Sequence, residues 1–193
     1  MRRICLVGIR GIGKTTLIRS ILPNLPWIDY LIGSSILRQL VGEDFINFDK
    51  YPEDRKQYFR EQAIRSMEER QSQIQKDILV DGHTTLYNQQ TKKVDAVFTD
   101  LDCRFFTDLI YFNAPPDVVL QRRINDTTKK RIIDLNIIKQ ELEGEREESK
   151  RIAQTFRMGW YEILEDKFEN MQKILSAILT QLHETPIMTE EKI

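Results

Sequence analysis

Cysteine is scarce in this chain: only two occur in 193 residues, Cys5 and Cys103. That is too few for a disulfide framework or a zinc cluster, and it is compatible with a reducing cytoplasm, where we expect the protein to work. An excess of one charge is lacking too. Lys and Arg total 29 against 30 Asp and Glu, a formal net charge of −1, so no global basic field draws the chain to nucleic acid or to an anionic membrane. Any attraction for phosphate must therefore be local. No uninterrupted apolar run approaches the length needed to span a bilayer, and Ile4-Cys5-Leu6-Val7 is too short for a signal-peptide core. Internal repeats and low-complexity tracts are also missing. What is present is ordinary globular sequence, 40% apolar and 31% charged, of a length that suits one domain over 1–193.

Against that background one stretch stands out: Gly8-Ile9-Arg10-Gly11-Ile12-Gly13-Lys14-Thr15-Thr16. It fits the pattern Gly, four residues, Gly-Lys-Ser/Thr, between an apolar run and a helix-like segment, as a phosphate-binding loop requires. Glycines at 8, 11 and 13 free the backbone to turn successive N–H groups inward around phosphate oxygens. A helix starting near Lys14 adds unpaired N–H groups and the positive end of its dipole. Lys14 is expected to bridge the β- and γ-phosphates, with the Thr15 hydroxyl on Mg²⁺. The loop residues Gly8, Arg10, Gly11, Ile12, Gly13, Lys14, Thr15 and Thr16 form the expected ATP site.

The rest of the chain alternates apolar runs with helical patterns. Strands are expected at about Arg3–Val7, Trp27–Leu31, Ile78–Val80, Leu109–Phe112 and Tyr161–Leu164. Between them lie a helix opened by Gly33-Ser34-Ser35, with Ser34 or Ser35 as cap and Gly42 as terminator, and a long one-sided helix within 52–76. Thr84–Arg104 is read as a loop with a short helix. A further helix starts near Asp117, and Ile132–Met158 is helical in pattern with an interruption at Gly144. The apolar stripe from Phe168 to Leu182 packs a last helix on the sheet, and Thr185–Ile193 is expected to fray. This pattern predicts a three-layer α/β/α fold with a parallel, five-stranded sheet.

A phosphate loop specifies a nucleotide but not a reaction. A GTPase needs Asn-Lys-x-Asp after a late strand, whereas this chain has Asn113-Ala114-Pro115-Pro116-Asp117. The strand-three carboxylate is a single Asp81 followed by Gly82, which favours a small phosphotransferase over a motor or ring ATPase. With these residues assembled, the chain resembles the adenylate-kinase-like nucleoside monophosphate kinases of the P-loop NTPase superfamily, in pattern the compact archaeal-type adenylate kinases. The resemblance runs from about Arg3 to Leu182. It implies an acceptor-binding helical region at about 33–76, in which Gly33, Ser35 and Arg38 hold the acceptor phosphate, and a short lid at about 125–146. Gly33-Ser34-Ser35-Ile36-Leu37-Arg38 departs from the family's Gly-Asp-x-Leu-Arg by one extra residue and a missing aspartate. Asp81-Gly82 matches the family's third strand end, Asp81 holding a water on Mg²⁺ and Gly82 facing the acceptor.

The family's arginine after that glycine is replaced by His83, which is read either as a ligand of the acceptor or a phosphate, or as a structural histidine. Arg123-Ile124 resembles the pair whose arginine stacks on the ATP base. Arg131-Ile132-Ile133-Asp134 resembles the lid's Arg-x-x-Asp, with Arg146 and Arg151 as further lid candidates. Arg38 and Lys129–Arg131 also have plain readings as solvated side chains, and Asp81 as a turn cap. The expected activity is transfer of the ATP γ-phosphoryl group to a nucleoside monophosphate, with Lys14, Arg123 and Arg131 supplying positive charge. A kinase for another small acceptor or a polynucleotide end, and a nucleotide-binding regulatory ATPase, are the alternatives.

Overall fold

In the computed structural model, which describes residues 1–165 and 167–186, the consecutive apolar runs become central strands because helices cover both of their faces. Five of them form one parallel sheet: β1 (Arg3–Val7), β2 (Ile28–Ile32), β3 (Asp77–Asp81), β6 (Asp108–Asn113) and β7 (Gly159–Leu164). Their order is β2-β3-β1-β6-β7, so the strand that leads into the phosphate loop lies at the middle. Register sets Leu6 opposite Asp81 on one side and Ile110 on the other, which brings the terminal carboxylate of β3 to the mouth of the loop.

Alternation along each strand divides the core into two layers. Ile4, Leu6, Leu79, Ile110 and Phe112 pack on Leu17, Ile18 and Ile21 of α1 (Lys14–Ile21) and on Met171, Leu175 and Leu179 of α7 (Phe168–Glu184). Cys5, Val7, Ile78, Val80, Leu109 and Tyr111 face the other way, toward Ala63, Ile64 and Met67 of α3 (Glu53–Ile74) and Phe105 of α4 (Asp100–Phe105). Each fully buried side chain of this kind contributes roughly 1.5–3 kcal/mol against the entropy of ordering the chain.

One helix belongs to both layers. In α6 (Leu135–Thr155), Ile138 and Leu142 lie in the first cluster and Ile152 and Ala153 in the second. Its middle therefore crosses the carboxyl ends of the strands, and the side chains midway between those anchors hang over the loop. Asp134 starts it, its Oδ1 accepting from the N–H groups of Asn136 at 2.8 Å and Ile137 at 3.1 Å, as an N-cap aspartate does.

Three local expectations are corrected. The helix α2 (Gly33–Val41) grows directly out of β2 with Ile32 at its cap position and no side-chain cap bond, so neither Ser34 nor Ser35 caps it; no turn intervenes to place them. Gly42, at φ 74°, does end it. Gly144 does not interrupt α6. It is there because β5 (Lys93–Ala96) passes close by: a Cβ on Gly144 would lie 2.8 Å from Val94 Cγ1. Segment 84–104, expected to be a loop with a short helix, holds α4 but also an antiparallel hairpin of β4 (Thr85–Asn88) with β5. Its turn has no glycine. Instead Asn88 Oδ1 accepts from the N–H groups of Gln90 and Thr91, and Lys92 takes φ 59°, a weaker signal than Asn-Gly. Of the expected frayed tail, residues 187–193 lie outside the described residues. No helix among the described residues is long and apolar enough to cross a membrane.

The Gly144 contact yields a test in which two effects compete. Alanine favours a helix interior over glycine by about 1 kcal/mol, yet here its methyl group collides with a β-branched side chain that has little freedom to turn. We predict that Gly144→Ala keeps or slightly raises the stability of α6 while the hairpin shifts away. Hydrogen exchange should then speed up at the β4 and β5 amides and not at those of α6; equal exchange at both would refute the packing argument.

Candidate functional site

The loop is pinned before it is shaped. Ile9 and Ile12 are buried at 4% and 0% exposure, so two side chains of the loop are rooted in the core and the intervening backbone is forced to arch. Gly8 sits at φ 148°, where an added Cβ would stand 2.7 Å from the carbonyl oxygen of Phe112. Gly11, at φ 86°, lies directly under Arg123, whose Cγ would be 2.9 Å from such an atom. These two positions admit glycine alone, one for the neighbouring strand and one for the arginine above.

Lys14 is buried at 5% exposure, and its ammonium donates to the carbonyl of Gly8. Burial pulls its pKa below the usual lysine range, opposed by the negative charges of Asp81 and Glu145. The ammonium lies 3.7 Å from Asp81 Oδ1, while Thr15 Oγ1 donates to Asp81 Oδ2 at 2.6 Å. Tyr30 adds its hydroxyl at 3.4 Å from the same oxygen, with its pKa raised by burial and by the Asp81 charge. Gly33 stands beside this group, since a Cβ there would touch the Asp81 carbonyl at 3.4 Å. The structure therefore brings together Lys14 and Thr15 of α1, Asp81 of β3 and Gly33 of α2, from three separate elements.

Arginines from α5 (Pro116–Asn125) and the segment after it close over the loop. Arg122 Nη1 donates to the Ile12 carbonyl at 2.5 Å. Arg123 donates twice to the Arg10 carbonyl, at 3.0 and 2.7 Å, and once to Ile132 O at 3.2 Å. Its Nη1 also pairs with Glu141 Oε2 at 2.8 Å. Buried to 3% exposure, Arg123 offers no open face for a base to stack on in this conformation; it braces the loop from above. Arg131 pairs with Asp126 at 3.0 Å, and its Cδ also reaches over Gly11, 3.2 Å from where a Cβ would be.

Other expected residues are placed as follows. His83 follows Asp81 and Gly82, and its Nδ1 is buried without a hydrogen-bond partner. Its pKa is pushed well below the usual histidine range by burial first and then by the charges of Lys14 and Arg10, against a hydrogen bond to the Gly8 backbone. Gly82 donates its N–H to the Leu6 carbonyl at 3.1 Å. Arg10, Thr16, Ser35 and Arg38 are exposed. Arg38 lies with its guanidinium 5.2 Å from the centre of the Phe45 ring. Arg146 is held by Glu162, with contacts of 2.9 Å from both Nε and Nη2, and Arg151 by Glu148 at 2.7 Å, so neither reaches the loop as the lid candidates were expected to.

Sequence reasoning missed two acids. Glu141 is the counter-charge of Arg123. Glu145, fully buried, accepts from Gly8 N at 3.0 Å, Thr84 N at 2.9 Å and Thr85 N at 2.6 Å. Burial pushes its pKa up, opposed by hydrogen bonds from Thr85 and Thr84 and by the charge of Lys14. One signal was available: both acids fall on the face of α6 that carries Ile138, Leu142, Ser149 and Ile152, where a solvated carboxylate has no place.

Comparison with solved structures gives the same fold. Shikimate kinase from Aquifex aeolicus aligns with a TM-score of 0.60 at 17% identity, covering 94% of this chain and 98% of that one. Shikimate kinase from Bacteroides thetaiotaomicron gives 0.54 at 17% identity over 93% and 98%. The Acinetobacter baumannii enzyme, in complex with shikimate, gives 0.54 at 18% identity over 94% of each chain. At these identities the likeness establishes the architecture, a phosphate-loop kinase fold. No curated protein matches the sequence. A family model described as AAA domain matches residues 7–139, a span that starts at the phosphate loop and takes in Asp81, His83, the arginines over the loop and the first turn of α6. That match covers more than half of the chain, and the protein belongs to the AAA domain family.

Proposed function

We propose that the protein is an ATP-dependent phosphotransferase that moves the γ-phosphoryl group to a nucleoside monophosphate. The observation that carries this reading is the closure of the loop by Arg122, Arg123 and Arg131, reaching Ile12 O, Arg10 O and the space over Gly11. Cationic side chains roofing a phosphate loop suit a reaction whose transition state spreads charge over three equatorial oxygens and needs alignment more than covalent chemistry. A roof also keeps water from the transferring group, without which ATP is merely hydrolysed.

In this reading Lys14 leaves the Gly8 carbonyl for the β- and γ-phosphate oxygens, and backbone amides of the loop beyond Gly8 take the remaining oxygens. Arg131 faces the transferring group, and Arg123 holds the loop beneath it through Arg10. The Thr15 hydroxyl and the Asp81 carboxylate, 2.6 Å apart, are hard oxygen donors of the kind Mg²⁺ takes when it keeps several waters. Bound there with the nucleotide, the ion would neutralise charge on the β- and γ-oxygens. Asp81 is then the acid that orients Thr15, and Tyr30 fixes Asp81. On the acceptor side, Gly33 and Ser35 in the first turn of α2 and Arg38 in its last turn are assigned to the acceptor phosphate, with Gly82 and His83 lining the approach. The region 33–76 serves as the acceptor side and 125–146 as the lid. Nothing in this scheme requires a membrane or nucleic acid, and a cytoplasmic setting supplies both nucleotides.

One observation favours a second reading. A neutral imidazole with an unpartnered Nδ1 accepts a hydrogen bond, which an alcohol can donate and a phosphate dianion cannot. The structural neighbours are kinases of the alcohol shikimate, so a small hydroxyl-bearing acceptor is the alternative.

ADP formation measured with a panel of nucleoside monophosphates, shikimate and a 5′-hydroxyl oligonucleotide separates these readings. We expect one monophosphate to stimulate turnover strongly; stimulation by an alcohol alone transfers the assignment to the second reading, and ATP binding without any stimulation leaves a regulatory ATPase. Lys14→Ala should lower turnover by roughly 10²–10³-fold with an unchanged far-UV spectrum, as loss of a preorganised charge does. Arg123→Ala should lower the unfolding free energy by about 3–5 kcal/mol, because it strands the buried Glu141 charge. Adding Glu141→Gln should recover part of that loss in urea titrations; strict additivity would show that the pair is not coupled.

A further inference from the structure

We propose that Glu145 is a positioning residue of the phosphate loop, its buried carboxylate holding the Gly8 peptide in the orientation that triphosphate binding requires. The proposal rests on the nucleotide-binding reading of residues 8–16 and is independent of the acceptor.

The carboxylate is satisfied on every side. Oε1 accepts from Gly8 N at 3.0 Å and Thr84 N at 2.9 Å, and Oε2 accepts from Thr85 N at 2.6 Å and Thr85 Oγ1 at 2.5 Å. Four donors fill the four lone-pair directions a carboxylate has. A buried charge is a costly way to stabilise a helix, and on packing grounds alone an apolar residue would serve better among Ile138, Leu142 and Ile152. What an apolar residue cannot do is accept from three backbone N–H groups that lie beyond the end of the sheet ladder, at the very point where the loop leaves β1 and the hairpin leaves β3. Glu145 therefore ties three segments that share no backbone hydrogen-bond ladder: α6, the first residue of the phosphate loop, and Thr84-Thr85 at the root of the hairpin.

Gly8 is held at both of its backbone polar groups, its N–H and its C=O, but the two bonds differ in fate. Its carbonyl is bonded to the Lys14 ammonium, a bond that must be given up when lysine moves to phosphate. Its N–H is bonded to Glu145, which no step of phosphoryl transfer disturbs. Glu145 is thus the part of the grip that persists while Lys14 changes partners. The same helix holds the far side of the arch, since Glu141 seats Arg123 and Arg123 seats the Arg10 carbonyl. One turn of α6 so fixes the loop at residues 8 and 10.

The test separates positioning from mere stabilisation. Glu145→Gln keeps a carbonyl oxygen for Gly8 and Thr84, while Glu145→Met keeps the volume and removes every acceptor. Thr85→Val removes only the hydroxyl donor on the hairpin side. Affinity for a fluorescent ATP analogue with magnesium is measured by anisotropy at a temperature where circular dichroism shows each variant folded, and the Gly8 amide exchange rate is followed by NMR. We expect Glu145→Met to weaken binding about tenfold or more and to expose the Gly8 amide, in line with loss of a charge-assisted hydrogen bond. Glu145→Gln should stay within about threefold of the wild type with Gly8 protected, and Thr85→Val should lose stability at nearly unchanged affinity. Wild-type affinity in folded Glu145→Met overturns the proposal. Should Glu145→Met fail to fold, Glu145→Gln decides: an unprotected Gly8 amide at wild-type affinity overturns it equally. A wild-type protein that binds no nucleotide refutes instead the reading on which the proposal rests.

Discussion

The Gly8 peptide is the point on which the site turns. Its N–H is bonded to Glu145 and its carbonyl to Lys14, and its backbone passes so close to Phe112 that no side chain fits. Everything that approaches a phosphate here is arranged around that peptide. The parallel register delivers Asp81 next to Leu6, the buried Ile9 and Ile12 force the arch that follows, and α1 begins at Lys14 with its unpaired amides turned toward the opening. The loop is held in shape by the protein before any ligand arrives, which lowers the ordering cost of binding.

That preorganisation comes from both layers of the fold. The apolar residues of α1 and α7 seat one side of the sheet and those of α3 and α4 the other, but among the helices of the described residues α6 alone contributes buried residues to both clusters and so crosses above the strand ends. A helix in that position has to be apolar at its two ends and polar in the middle, and it is: Glu141 and Glu145 lie between Ile138 and Ile152. Buried acids in the middle of an apolar face destabilise a helix unless partners are waiting. Here the partners are Arg123 and the loop and hairpin amides, so the polar interruption of the face and the shape of the loop are one arrangement.

The parts visible in the sequence are those set by local rules. The Gly-Lys-Thr spacing, the apolar runs of the five strands and the terminator Gly42 each follow from backbone chemistry over a few residues, and the structure places them as expected. The hairpin at 85–96 was not visible because its turn relies on Asn88 and on Lys92 at positive φ, where no Gly or Pro announces it. Gly144 looked like a helix break because its reason is tertiary: Val94, far away in sequence, needs the space. Likewise, nothing near Arg123 says that it is bonded to Arg10 O and Glu141. The family resemblance of Arg123-Ile124 implied a side chain that stacks on the ATP base. Arg38 shows the same limit, since its neighbour Phe45 becomes apparent only once the turn after α2 is folded.

The central claim is that Lys14, now seated on Gly8, transfers to a polyphosphate while the Gly8 N–H stays with Glu145, and that a second anion is delivered beside it. A crystal structure with a bisubstrate mimic, two nucleosides joined through their phosphates, tests this directly. The account requires the phosphates to lie in the 8–16 loop with Lys14 on their oxygens, the Gly8–Glu145 bond intact, and the second nucleoside between Gly33 and Arg38. Phosphates bound elsewhere, or Lys14 still on the Gly8 carbonyl with the mimic in place, would contradict it.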